Sequence, residues 1–285
     1  LDPALTGGSI FLASGPIVLT RDVMIDGSPA TGAALDGLGS ARLMIVDPGV
    51  TATVGGLTFT NGFGFQLAGG ILNNGVLTLV GATVTGNIMT TDAGDFWQGG
   101  GGIYNGDGST LHLIESTVDA NNSGWSGGGV YSFFNSTTII ERSTISNNTA
   151  ADVGGGVRSL GNVTVINSTI SGNTSVGWHG GAAFITDGVV DVLHSTVSNN
   201  SSPGGTAGGL FVGTFGDSSA TLNLADTIIA DNSGEQCFAG FFGGGAVSLQ
   251  SSGYNVASDG SCNLTATGDQ PNTDPLLGDL GDNGG

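Results

Sequence analysis

A six-residue phrase recurs along the middle of the chain and constrains the fold more than any other feature of the sequence. Each clear copy has a threonine, then an aliphatic residue, and an asparagine three positions after the aliphatic one. The five clear copies begin at Ala82, Ser116, Ser143, Ser168 and Ser195, and they end at Asn87, Asn121, Asn148, Asn173 and Asn200. The copies follow one another at intervals of about 27 residues, and a repeat of that length indicates a solenoid.

Two further columns of residues keep the same period. In one, a run of glycines precedes an apolar residue, and in the other, apolar and polar residues alternate over a short stretch, as at Leu77 and Leu79. Alternation with β-branched residues predicts strands, and the intervening glycines and asparagines predict turns. The apolar residues after the glycine runs are Ile103, Val130, Val157, Ala183 and Leu210.

The three columns predict three short strands in each turn of an all-β solenoid. Parallel stacking of such turns at about 4.8 Å buries an apolar face that no single turn can bury alone. We therefore predict a right-handed parallel β-helix of about ten turns. The chain is expected to form a single domain, with irregular N-terminal turns at 1–55, regular repeats at 56–232 and C-terminal turns with a tail at 233–285.

The repeated phrase also predicts which residues face inward. The inward column is Val84, Val118, Ile145, Ile170 and Val197, and a looser copy of the phrase from Asp226 to Asp231 adds Ile228 to it. The asparagines that end the phrase are expected to form a ladder of side-chain hydrogen bonds between turns.

The neighbours of the inward column are predicted to point outward. They form a candidate ligand face of Thr58, Thr60, Thr83, Thr85, Thr117, Thr144, Thr169 and Thr196, with serines such as Ser146, Ser171 and Ser198 in its second row. Threonine ladders at this spacing have the geometry of ice-binding surfaces. Threonine is also common on any exposed strand.

Charge excludes some classes of partner. The chain has a formal net charge of −19, with 23 acidic residues against 4 arginines and no lysine. Nucleic acids and anionic membranes both require a basic patch, so neither is an expected partner. The acidic surface leaves Ca²⁺ open as a ligand, although no cofactor or metal site is predicted. No apolar run is long enough to cross a bilayer, so no transmembrane segment is expected.

Catalysis is not expected, and the catalytic residues are predicted to be none. A polysaccharide hydrolase needs two carboxylates at a set separation on one face, whereas Glu115, Asp119 and Asp191 fall on different faces or rows. His112, His179 and His194 lie in different columns without a nearby cysteine, which argues against zinc. A polysaccharide lyase or hydrolase remains the alternative function, because solenoids of this kind include such enzymes.

Three tryptophans stand at comparable positions just before glycine runs, and two interpretations of them are open. Trp97, Trp125 and Trp178 could stack on sugars, or they could cover the apolar edge of a corner.

The only two cysteines, Cys237 and Cys262, are separated by about one turn. On adjacent turns their Cα atoms would be about 5 Å apart, a separation that suits a disulfide. A free buried pair is the alternative.

The sequence resembles two bacterial families. Pairs of Gly-Gly-x-Ile/Val and Ser/Thr-x-x-Asn between residues 56 and 232 are similar to the repeats of chlamydial polymorphic outer-membrane proteins. The tail, with Gly253-Tyr-Asn-Val, Cys262-Asn-Leu and Asn272-Thr-Asp-Pro-Leu-Leu-Gly-Asp-Leu-Gly-Asp-Asn-Gly-Gly285, is similar to choice-of-anchor Q domain proteins. The resemblance implies an exported β-helix, secreted or at the cell surface, that takes part in adhesion. The chain departs from the polymorphic proteins in carrying Ser-Thr-Ile/Val where they favour an aromatic residue.

Together these observations predict a non-catalytic adhesin or structural rod. Its expected partners are cell-surface or matrix glycans, proteins, or other copies of itself. The segment from Leu1 to Leu12 already alternates like a strand, with Ile10 and Leu12 in phase. Its backbone edge would then be covered by a leader segment or by another copy, and the latter would produce head-to-tail filaments.

Overall fold

The protein is a parallel β-solenoid of about nine turns. The computed structural model describes residues 1–92, 97–215, 218–242, 244–278 and 280–281. In each regular turn the chain passes through three sheets, which we number in the order in which the chain enters them. The first sheet contains the repeated phrase, the second follows the glycine runs, and the third carries the alternating column.

All strands within each sheet are parallel and in register. The first sheet consists of Ser9–Phe11, Ala34–Asp36, Thr58–Thr60, Thr83–Thr85, Thr117–Asp119, Thr144–Ser146, Thr169–Ser171, Thr196–Ser198, Ile228–Ala230 and Val256–Ala257. The second consists of Ile17–Leu19, Met44–Val46, Ile71–Asn73, Ile103–Asn105, Val130–Ser132, Val157–Ser159, Ala183–Ile185, Leu210–Phe215 and Cys237–Phe242. The third consists of Val23–Asp26, Thr51–Gly55, Val76–Val80, Thr110–Ile114, Thr137–Glu141, Asn162–Ile166, Gly188–Leu193, Ala220–Ala225 and Val247–Ser251.

The predicted parallel β-helix is confirmed, and each predicted column occupies a sheet of its own. The structure adds a short fourth sheet between the first and second sheets, which the three-strand prediction missed. It forms because the chain stays extended for two or three residues after the ladder position before it reaches the glycine run. Its strands are Phe63–Phe65, Ile88–Thr90, Asn122–Ser123, Thr149–Ala150 and Thr174–Ser175.

Helix is almost absent from the described residues. Two 3₁₀ segments, Pro3–Leu5 and Ser28–Ala30, are the helical elements there. No helix in the described part of the chain is long and apolar enough to cross a membrane.

The core lies between the three main sheets, and the predicted inward column is buried. Val118, Ile145 and Val197 are fully enclosed within it. The prediction for the last repeat was wrong by one residue, since Ile228 pairs with Thr196 and it is Ile229 that continues the column from Val197. In every clear copy of the phrase, the ladder asparagine comes three residues after the inward aliphatic residue. In the last repeat that asparagine is Asn232, so the inward residue is Ile229, whereas the prediction ended the phrase one residue early, at Asp231.

The asparagine ladder is present and fully buried. In each step, the Oδ1 of one asparagine accepts hydrogen bonds from the backbone N–H and from the Nδ2 of the asparagine one turn earlier, as Asn148 does from Asn121 at 3.0 and 2.9 Å. The ladder begins where the Gly62 N–H donates to Asn87 and continues past Asn200 to Asn232 and Gln236. These bonds fix the register of the corner between the first sheet and the short sheet.

The C-terminal end of the core is covered by the chain itself. Cys237 and Cys262 form a disulfide with a Cα–Cα separation of 4.8 Å, and Cys262 and Leu264 pack into the core. The carboxylate of Asp269 accepts hydrogen bonds from the Asn255 and Ala266 backbone N–H groups and from the Ser251 hydroxyl. We call residues 258–270 the C-terminal cap.

Candidate functional site

The corner between the second and third sheets varies in length from turn to turn. Residues 133–136 connect Val130–Ser132 to Thr137–Glu141, whereas only Leu160 and Gly161 make the next connection. The connection after that is also short, being Thr186 and Asp187. Two successive short connections beside the longer one at 133–136 leave a concave notch in the side of the solenoid.

A groove of about 550 Å³ occupies this notch. We call it the corner groove. It is lined by Trp97, Phe134, Asn135, Leu160, Gly161, Asn162, Asp187, Gly188 and Ser218. The notch therefore brings together two aromatic rings, two side-chain amides and a carboxylate.

The aromatic wall is formed by Trp97 and Phe134. Their ring centroids are 5.2 Å apart, and the Trp97 ring also meets Phe133 edge to face at 6.0 Å. These contacts orient the indole, yet Trp97 remains 46% exposed. An oriented, half-exposed indole offers a flat apolar surface to a ligand.

The polar wall keeps hydrogen-bonding capacity for a ligand. The Oδ1 of Asn162 accepts from the Val189 N–H at 2.9 Å, and the Nδ2 of Asn135 donates to Asp107 at 2.9 Å. The opposite ends of these two amides, the Nδ2 of Asn162 and the Oδ1 of Asn135, make no hydrogen bond to the residues that the structure describes. Both side chains are solvent-exposed, so a donor and an acceptor face the groove region.

Asp187 contributes the carboxylate of the groove. Burial raises the pKa of Asp187 above its usual value, and this shift is opposed by a hydrogen bond from Ser218 and by the positive charge of Arg158. The charge of Arg158 thus acts to keep the Asp187 carboxyl ionised. Asp187 is therefore coupled to the residue beneath it.

Arg158 lies under the floor of the groove and is only 4% exposed. Its Nη1 donates to the Ser159 carbonyl and to the Thr186 hydroxyl, both at 2.8 Å. Ser159 directly precedes the first short connection and Thr186 belongs to the second, so one guanidinium joins the two solenoid turns that form the floor. Burial lowers the pKa of Arg158, with Tyr131, Asp187 and Asp152 acting in the opposite direction, but an arginine remains charged at neutral pH.

Arg158 belongs to an aromatic column that the sequence reasoning missed. In the second sheet it is in register between Tyr131 and Phe184, and its guanidinium lies 4.8 Å from the centre of the Phe184 ring. Neighbouring rings stack nearly parallel, at 5.1 Å for Tyr104 and Tyr131 and 4.3 Å for Phe184 and Phe211. The signal was available, because every member except Phe238 directly follows the apolar residue of a glycine run. The members are Tyr104, Tyr131, Arg158, Phe184, Phe211 and Phe238.

The structure separates the three tryptophans. Trp97 lines the corner groove, whereas Trp125 and Trp178 are not among the groove residues. Trp125 is half-buried, and Trp178 is 52% exposed and meets His179 edge to face at 6.1 Å. Of the three, Trp97 is the one that lines the groove with Asn135, Asn162 and Asp187.

The threonines predicted as an outward face do align. Thr58, Thr83, Thr117, Thr144, Thr169 and Thr196 form one half-buried column in register. The second column holds threonine only at Thr60 and Thr85. Ser146, Ser171 and Ser198 continue this second column two residues after the threonines, but they are buried and so add little exposed surface to the face. Ser146 donates a hydrogen bond to the Asp119 carboxylate, which also accepts one from Asn147.

The other polar candidates are dispersed. Glu115 pairs with Arg142 at 3.1 Å, and Asp191 accepts from Asn223 at 2.7 Å. His112 lies 3.2 Å from Glu141, and His194 lies 3.6 Å from Asp226. No group of three potential metal ligands occurs in the described part of the chain.

Comparison with known proteins gave no match among family models, curated proteins or solved structures. The resemblance to the two bacterial families therefore remains a prediction, and the fold assignment depends on the structure itself.

Proposed function

We propose that this protein is a non-catalytic, exported adhesin that binds uncharged glycans in the corner groove. The observation that carries the proposal is the position of Trp97 beside Asn135, Asn162 and Asp187. Binding sites for small polar ligands typically combine apolar rings with a few convergent polar groups, and the groove has this composition.

The chemistry of sugars fits both walls. The C–H face of a pyranose packs on an indole ring, while its hydroxyls can donate to a carboxylate and exchange hydrogen bonds with amides. The net charge of −19 would repel an anionic polysaccharide. An uncharged glycan therefore suits the groove better than a uronic acid polymer.

The scaffold suits display outside the cell. A disulfide is typical of oxidising compartments, and Cys237–Cys262 holds the C-terminal cap in place. The resemblance to choice-of-anchor Q and polymorphic outer-membrane proteins points in the same direction, toward a secreted or surface-bound bacterial protein. A rigid solenoid can hold a binding groove away from the surface to which it is attached.

The alternatives have weaker support. Ice binding through the threonine face would require two continuous threonine columns, and the second column holds threonine at only two positions of the first sheet. Head-to-tail filaments would require an incoming copy to displace Cys262 and Leu264 from the core. The hydrolase form of the enzyme alternative would require a pair of acids, and Asp187 is the one acid that lines the groove in the described residues.

A glycan array followed by calorimetry tests the proposal. We expect binding to uncharged glycans, and Trp97→Ala should weaken it by about tenfold or more, since each 1.4 kcal/mol of lost ring contact is about tenfold in affinity. Trp178→Ala is the matched control, because Trp178 is similarly exposed but lies outside the groove.

Two outcomes would contradict the proposal. One is the absence of binding to any glycan, or binding that Trp97→Ala leaves unchanged. The other is release of reducing or unsaturated sugar ends by the purified protein above a heat-inactivated control, which would favour the enzyme alternative.

A further inference from the structure

We infer that the corner groove binds an extended, β-linked, uncharged glycan chain that runs along the solenoid axis with about one sugar unit on each turn. This inference rests on the proposed function and goes beyond it by assigning the linkage, the direction and the length of the ligand.

The direction follows from where the lining residues stand in the fold. Phe134 and Asn135, then Asn162, then Asp187, then Ser218 belong to four successive turns at the same corner. The third-sheet strands next to them are in register, with Thr137 paired to Asn162 and Gly188 paired to Ala220. Residues stacked in this way form a row parallel to the axis, so the groove can accept a chain along the axis and not across it.

The repeat length follows from the spacing of the turns. Neighbouring parallel strands are separated by about 4.8 Å, so the row from Phe134 to Ser218 extends over about 14 Å. The strand spacing is close to the length of one pyranose unit in an extended chain. The groove should therefore contact three to four sugar units, about one over each turn.

The linkage follows from the straightness of the row. A β-1,4-linked glucose chain is extended and presents flat rings with equatorial hydroxyls at its edges. An α-1,4-linked chain curves and cannot keep a unit over each successive turn. A flat sugar ring can also pack against the half-exposed indole of Trp97.

The order of the residues makes the two ends of the groove chemically different. Trp97 and Phe134 stand at one end, Asn162 in the middle, and Asp187 with Ser218 at the other end. A single sugar on the aromatic wall would contact the ring and its nearest amide alone. Only a longer chain reaches the carboxylate of Asp187, so affinity should depend on length.

Calorimetric titration with β-1,4-linked glucose oligomers of one to six units tests the inference, with α-1,4-linked oligomers of equal length as the comparison. We expect affinity to rise by about tenfold or more from one unit to three and to change little beyond four, because further units lie outside the groove. The α-linked series should bind at least about tenfold more weakly at three units.

Two variants locate the chain in the groove. Asp187→Ala should lower the affinity for the three-unit oligomer and leave that for glucose unchanged, whereas Trp97→Ala should lower both. Asn122→Ala, an exposed change in the short sheet, is the control for the preparation. Thermal unfolding of each variant distinguishes lost contacts from lost folding.

Affinity that is independent of length, equal binding of the α-linked series, or an Asp187→Ala effect already present with glucose would overturn the inference. Each of these results leaves the proposed function standing. Binding of other array glycans but of neither glucose series would also overturn the inference alone. Failure to bind any glycan would overturn the proposed function as well.

Discussion

Replacing Asn148 by alanine should destabilise the solenoid more than most single substitutions would. The Oδ1 of Asn148 accepts from the N–H and the Nδ2 of Asn121, at 3.0 and 2.9 Å. Its Nδ2 donates to the Val118 carbonyl and to the Oδ1 of Asn173, both at 2.9 Å. All four bonds are buried, so water cannot replace them in the folded protein.

The magnitude follows from these contacts. A typical hydrogen bond contributes about 1 kcal/mol, and a buried group left without a partner costs about 1–3 kcal/mol. Two of the groups that lose Asn148 as a partner retain another hydrogen bond. The Nδ2 of Asn121 still donates to the Val84 carbonyl, and the Oδ1 of Asn173 still accepts from the backbone N–H of residue 148. The Asn121 N–H loses the acceptor it has in the ladder. We expect the free energy of unfolding to fall by about 3–5 kcal/mol, a large part of the usual 5–15 kcal/mol of a domain.

Urea unfolding followed by circular dichroism measures this difference. Asn122→Ala is the matched control, since Asn122 is the next residue and is exposed, and it should change the free energy by less than about 0.5 kcal/mol. If Asn148→Ala costs under about 1 kcal/mol, or no more than the control, the ladder does not hold the turns together as argued.

Four further predictions follow from the cap, the floor of the groove and the ends of the solenoid. Replacing both Cys237 and Cys262 by serine should lower the free energy of unfolding by about 3 kcal/mol in denaturant titrations; an unchanged midpoint would contradict the role of the disulfide in the cap. Burial acts to raise the pKa of Asp269, but hydrogen bonds from Ser251, Asn255 and Ala266 outweigh it and hold the pKa below its usual value. The stability from its ionised form is thus present above the unfolded pKa of about 3.9 and lost as pH falls through the folded pKa, so Asp269→Asn should flatten the thermal stability profile there. Arg158→Met should raise the pKa of Asp187 further, so glycan affinity measured as pH is lowered should be lost at a higher pH than in the parent protein. An unchanged pH profile of affinity would show that Arg158 does not act on the groove. Sedimentation at high protein concentration should show monomers, while elongated polymers that survive dilution would favour the filament alternative.

The fold could be predicted because its period is written in three independent columns. Val118, Ile140 and Val130 each belong to a column of buried apolar residues that recurs once in every turn. Because side chains alternate between the two faces of a strand and one face is buried, these columns fix the register of the strands. The error at Ile228 arose where only the phrase was used and the asparagine at position 232 was not counted. One residue of slip exchanges the two faces of a strand, so the ladder position is the stronger guide.

The groove could not be predicted in the same way, because it depends on residues that break the repeat. Leu160 and Gly161 form a short corner, and the residues before Thr137 form a longer one, yet both are ordinary turn sequences. Which corners are neighbours follows from the register, but the depth between them requires coordinates. Trp97 was one of three tryptophans predicted as candidates for sugar stacking, and nothing in their sequence context distinguished it from Trp125 and Trp178.

The residues that hold the turns together and the residues that line the groove can vary separately. The ladder from Asn87 to Asn232 lies at a different corner from the groove, and both are anchored to the same stacked turns. Changes in the length of a groove corner alter its shape without removing a ladder bond. Arg158 limits this freedom, because it joins the Ser159 and Thr186 turns from beneath and is enclosed between Tyr131 and Phe184. An insertion at Leu160 that moved these turns apart would leave a buried charge with fewer partners, which is costly. The floor of the groove is therefore the least adaptable part of the site, whereas the longer connection at 133–136 can differ in length without breaking these buried contacts.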